Sequence, residues 1–119
     1  MSGPLWLLAE KKYLYMNERF VGVLPFEIRS SKVKKIIYSE TIVCICEHTD
    51  RVHAFEVNEF YNIINHQEFR VFDKERELFG QSIRDVQIFD AAIKDDIVYV
   101  LSANGLTKYD VFSEEKKEQ

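Results

Sequence analysis

Four residues with metal-binding side chains sit close together in this chain: Cys44, Cys46, His48 and His53. Thiolate and imidazole form a ligand set that zinc accepts. On a strand, Cys44, Cys46 and His48 share one face because successive side chains alternate, and His53 returns toward them across a turn at Thr49-Asp50. Structural zinc sites, however, pair cysteines on a tight knuckle, whereas i, i+2 positions on a flat strand hold thiolates about 7 Å apart. Buried cysteine is also an ordinary small core residue, and the spacing favours that reading. A nucleophilic Cys–His pair has no Gly-rich oxyanion element beside it, and neither a P-loop nor a Gly-x-Gly-x-x-Gly pattern occurs. Acidic residues form no spaced pair within apolar sequence; Asp95-Asp96 reads as a turn and Glu114-Glu115 as tail. His66, within Asn65-His66-Gln67, reads as an exposed loop residue. These residue types point away from an enzyme, a metal and a cofactor.

Two further sets bear on binding. Arg29, Lys32, Lys34 and Lys35 form the single basic cluster. Lysines on a strand edge protect it against unwanted pairing, so a solvated face or edge is the simpler identity. The alternative is a small β domain that holds an anionic ligand or a phospholipid headgroup on this patch. The net charge of −4 leaves no chain-wide basic field for nucleic acid. The second set is aromatic: Trp6, Tyr13, Tyr15, Phe20 and Phe26 crowd the first quarter. Core packing absorbs most such residues. Any left exposed are anchors for a partner, because aromatics dominate interface energetics.

Elements must place these residues. The chain has 119 residues, 46% hydrophobic and 30% charged, which suits one soluble domain with a modest core. We expect that domain over 1–112 and a polar tail or linker over 113–119. Nine Phe, six Tyr and many Ile and Val favour strands. Cys44 and Cys46 stand too close in sequence for an unstrained disulfide across a strand, so both read as reduced thiols of an intracellular protein, cytoplasmic or nuclear. The apolar run Leu5 to Ala9 lacks a basic region before it and is too short for a membrane span.

Strands are expected over Leu5–Ala9, Tyr13–Met16, Phe20–Ile28, Val33–Tyr38, Ile42–His48 and Arg51–Val57, with a turn at Asn17-Glu18-Arg19. Both faces of Ile42–His48 begin apolar, which predicts burial on both sides. From Asn58 to Phe72 a helical stripe behind an Asn58 N-cap competes with a hairpin of Phe60–Asn65 and Glu68–Phe72, and β-branched content favours the hairpin. Asp73 to Phe79 reads as a short helical turn ended by Gly80. Ile83 to Ile93 fits either a helix capped by Ser82 and Asp85 or a strand. Ile97–Leu101 and Leu106–Phe112 are strands joined at Asn104-Gly105, a strong hairpin signal.

The hairpin from Thr41 to Val57 has an echo from Asp96 to Val111. Ile42-Val43 aligns with Ile97-Val98, and Phe55-Glu56-Val57 with Tyr109-Asp110-Val111. A strand, a tight turn and a strand ending in an aromatic–acid pair resemble a β-propeller blade. Leu106-Thr107-Lys108-Tyr109-Asp110 resembles the third strand of a WD-type repeat; Arg70-Val71-Phe72-Asp73 lies 37 residues earlier, near one blade length. Trp-Asp itself is absent. The resemblance implies a mainly β chain of two to three blades, fewer than the four to eight that close a propeller. The alternative is a small barrel or a sandwich with one helix. An unclosed array exposes sheet edges and an apolar face. The expected function is therefore a non-catalytic interaction or scaffold module in a larger intracellular complex, its partner another protein chain or a second copy.

Overall fold

The computed structural model describes residues 3–49, 51–71 and 87–112. Within these the chain is mainly β. Ten strands run in order: β1 (Trp6–Ala9), β2 (Tyr13–Met16), β3 (Arg19–Val23), β4 (Val33–Ser39), β5 (Ile42–Glu47), β6 (Arg51–Val57), β7 (Ile63–Arg70), β8 (Ile88–Lys94), β9 (Ile97–Ser102) and β10 (Gly105–Asp110). They form three separate antiparallel meanders, β1-β2-β3, β4-β5-β6-β7 and β8-β9-β10, none of them closed into a barrel. No helix long and apolar enough to cross a membrane occurs among the described residues.

Tight turns set the register. Asn17 and Glu18 both adopt positive φ, 49° and 69°, between the paired Met16 and Arg19. That is the twist a two-residue hairpin loop needs. At the last hairpin Ser102 pairs with Gly105, so the loop residues are Ala103 and Asn104. Gly105 follows them at φ 94°, the conformation a side chain disfavours. The Asn-Gly signal thus marks the end of the turn rather than its centre.

The repeat seen twice in the sequence occurs three times in the fold. Val57 N donates to Thr41 O and Val111 N to Asp96 O, both at 2.9 Å, at matching places in the echoed hairpins. Leu24 N donates to Lys12 O at 2.8 Å and does the same for the β2–β3 hairpin. All three donors belong to buried residues, Val57 ending its hairpin's second strand and Leu24 and Val111 directly following theirs.

The middle sheet is covered on both faces, and every residue of β5 is buried. Cys44, Cys46, Val52 and Ala54 join Ile88, Ala91, Val98 and Val100 of the third sheet, and Val111 just after it, in one apolar cluster. Val43, Ile45, Phe55 and Val57 join Leu14, Leu24 and Ile28 in the other. Each Å² of apolar surface buried in these two sheet-on-sheet contacts contributes about 25 cal/mol. β4 and β8, the first strands of their sheets, lie next to one another, and Lys35 Nζ meets Asp90 Oδ1 across them at 2.7 Å.

Three expectations change. β3 stops at Val23, and Leu24 to Ser31 form an irregular segment, because Pro25 cannot donate to a ladder. Residues 63–70 make one strand paired with β6, not a hairpin. There Asn58 caps a turn instead of a helix: its Oδ1 accepts from Phe60 N at 2.9 Å and from Asn62 N at 3.0 Å. In the ambiguous stretch before Ile93, β8 begins at Ile88. The readings placed on Asp50, on 72–86 and on 113–119 lie outside the described residues.

Candidate functional site

The first sheet turns two unlike faces to its surroundings. Leu8 and Leu14 pair across β1 and β2 and point at the middle sheet. Alternation sends Leu7 and its partner Tyr15 to the opposite face, with Tyr13 and its partner Val23 beside them. A bulge between Leu14 and Tyr15 brings Phe20 opposite Tyr15. The Phe20 ring lies 5.5 Å from that of Tyr15 and 6.4 Å from that of Tyr13, both tilted. Phe20 is 51% exposed, Val23 56% and Leu7 49%. Three of the aromatic residues singled out from the sequence thus form one outward patch. The other two do not join it. Trp6 and Phe26 face the interior and pack on the cluster around Phe55.

The third sheet repeats this arrangement at the other end. Leu101 and Leu106 pair with each other and are both exposed, as is Phe89. Among the described residues the array therefore ends in an exposed apolar patch on each side, while β5 of its central sheet is buried throughout.

A buried polar cluster, not anticipated from the sequence, ties the irregular segment after β3 to the middle sheet. Glu47 Oε2 accepts from His53 Nε2 at 2.6 Å, and both side chains are fully buried. Glu47 Oε1 accepts from Arg29 N at 3.1 Å and Ser30 N at 2.8 Å. His53 Nδ1 lies 3.1 Å from His66 Nε2. The Phe26 ring stacks over both imidazoles, with centroids at 4.3 and 4.0 Å. Glu68 Oε1 stands 3.8 Å from His53 Nδ1, and its other oxygen meets Arg51 Nε at 3.4 Å. Burial raises the Glu47 carboxyl, but hydrogen bonds from His53 and Ser30 outweigh it and hold the group below its ordinary range. Burial, then the neighbouring His53, lowers His66 against the pull of Glu68. One carboxylate thus satisfies three donors and fixes a loop. In the sequence Glu47 and His53 were visible only as a strand acid and a metal candidate, six residues apart across a hairpin.

The four metal candidates are not brought together. Cys44 pairs with Ala54, whereas His53 pairs with Ile45, so His53 faces the opposite side of the sheet from the cysteines. Both thiols are free and fully buried. Burial raises Cys44, with Cys46 adding to it; burial pushes Cys46 up to about 12, against nearby Lys35. His48 stands at the end of β5, its backbone N–H on Lys32 O.

The basic cluster is also dispersed. Lys34 and Lys35 are exposed on β4, Lys35 being paired with Asp90, while Arg29 and Lys32 belong to the preceding segment. Comparison of the chain with protein-family models, with curated proteins and with solved structures finds no match.

Proposed function

We propose that this chain is a non-catalytic protein–protein interaction module, a partial propeller-like array whose end faces dock a further β-sheet. The observation that carries the reading is the outward patch of Leu7, Tyr13, Tyr15, Phe20 and Val23. Contiguous exposed apolar surface with an aromatic centre is the character of a docking site. The occupant follows from the fold's own construction. Both interior contacts are sheet on sheet, made by the same alternation that exposes this patch. A sheet laid on β1–β3 extends the stack in the way the middle sheet already does. The consecutive meanders, the three equivalent hydrogen bonds and the neighbouring first strands β4 and β8 support the propeller-like arrangement. The two free, buried thiols suit a reducing, intracellular setting.

Light scattering over a concentration series tests this. With its end faces uncovered, the isolated chain associates, and Phe20→Glu, which places a charge at the patch centre without touching the core, returns it to monomer. A wild-type chain that stays monomeric at high concentration overturns the reading, as does association that Phe20→Glu leaves unchanged.

A further inference from the structure

We propose that the cleft between the loop after β3 and the β5–β6 connection is a binding site for a phosphate-type oxyanion. Arg29, Ser30, Ser31, His48, Thr49 and Arg51 line it, around a volume of about 250 Å³. These lining residues carry two guanidiniums, an imidazole and three hydroxyls, the kinds of group that recognise phosphate oxygens. No carboxylate belongs to the described lining. Asp50, between Thr49 and Arg51 in sequence, lies outside the described residues.

Two acids near the cleft are engaged among the described residues. Glu47 directs one oxygen to the Arg29 and Ser30 amides and the other to His53. Glu68 Oε2 lies 3.4 Å from Arg51 Nε. Lys11 Nζ donates to Ser30 O at 3.1 Å and brings a further cation to the same loop. His48 Nδ1 is buried and has no hydrogen-bond partner among the described residues.

The site is also preorganised. Glu47 pins the loop, Ser30 Oγ and Thr49 Oγ1 lie 2.9 Å apart, and Thr49 N donates to Ser30 Oγ at 3.3 Å. Ordering before binding removes part of its entropic cost. At about 30 Å³ per water, the cleft takes roughly eight waters' volume, enough for a tetrahedral oxyanion with residual hydration. Of the four basic residues singled out in the sequence, only Arg29 lines this cleft; its companions are His48 and Arg51 from across the loop. None of the outward-patch residues takes part, so the site stands or falls apart from the docking reading.

The test uses the full chain and inorganic phosphate. Melting temperature is followed up to about 10 mM phosphate against chloride at matched ionic strength. A phosphate-specific rise is expected. Arg29→Ala, an exposed position, weakens apparent affinity roughly tenfold, and Arg29→Lys recovers part of it as a charge without the fork. Ser31→Glu, which keeps every cation and adds a carboxylate, abolishes the response. Sedimentation with vesicles of phosphatidic acid in phosphatidylcholine identifies the source: Arg29-dependent sedimentation assigns a lipid phosphomonoester, and a phosphate response without it assigns a soluble phosphate ester. No phosphate-specific rise and no sedimentation overturns the proposal, as does a response that Arg29→Ala and Ser31→Glu leave intact.

Discussion

Removing the Glu47 carboxylate should be among the most damaging single changes in this chain. In Glu47→Ala, His53 Nε2 and the amides of Arg29 and Ser30 all lose their acceptor. Each buried donor left unpaired costs about 1–3 kcal/mol. The part-buried loop amides recover some hydration, so we expect about 3–5 kcal/mol in total. That approaches the whole stability of a small domain, about 5–15 kcal/mol. Glu47→Gln separates geometry from charge. Its carbonyl still accepts from the loop amides, and its amide donates to His53 Nε2 if the imidazole proton moves to Nδ1 and points at His66. The expected cost is then about 1–2 kcal/mol. Urea unfolding followed by fluorescence of Trp6, half-buried on the same apolar cluster, measures both. Unchanged m-values with midpoints ordered wild type, Gln, Ala confirm the reasoning. A Glu47→Ala variant within about 0.5 kcal/mol of wild type would refute it, since one buried and two part-buried donors cannot lose their acceptor at that cost.

Acidification should destabilise the fold in two steps. The folded-state values of His66 and Glu47 both lie below their ordinary ones, so the unfolded chain binds more protons as pH falls. Stability is full above the ordinary imidazole value of 6.5, declines below it as His66 resists protonation, and drops again below the ordinary carboxyl value of 4.5; urea midpoints that rise on acidification contradict this. Cys44 and Cys46 should resist a thiol reagent in the native state at pH 8, because burial keeps both protonated, and react fully once unfolded; rapid native labelling contradicts their placement. Phe55→Ala, which empties a fully buried position beneath Phe26, should lower stability by about 3–5 kcal/mol in the same urea assay. Gly105→Ala should lower it by about 1 kcal/mol, through the φ of 94° and not through a clash, since no atom lies within 4 Å of an added Cβ.

The strand pattern was legible where apolar residues alternate or run continuously. Ile42 to Glu47 carries apolar residues of both parities, and the structure covers both of its faces. Period-two reasoning failed where side chains satisfy backbone groups. Asn58 signals a cap in either a helix or a turn, and only the pairing of β7 with β6 decides between them. The outward patch was half legible: aromatic content flagged five residues, but which of them point outward depends on the register of β1, β2 and β3. The polar cluster was not legible, because its members come from β5, β6, β7 and the loop after β3, and no local spacing joins Glu47, His66 and Phe26. The basic cluster shows the same limit: sequence neighbours Lys34 and Lys35 left on β4, whereas Arg29 met His48 and Arg51 from a distant turn.

The sandwiching of the middle sheet makes the molecule a short one-dimensional chain of coupled units. Among the described residues each end sheet has one neighbour to lean on, and the middle sheet has two. Stability in such stacks is a sum of unit terms and nearest-neighbour terms. The β1–β3 meander and the β8–β10 meander can therefore each open by giving up a single interface, whereas β5 exchanges its amides only when both interfaces have gone. Protection against hydrogen exchange should fall away from β5 in both directions, with the ends fraying first. The surfaces best placed to meet another chain are then also those that open at the lowest free energy, and a partner that covers them would lengthen the stack and move its fraying edge outward.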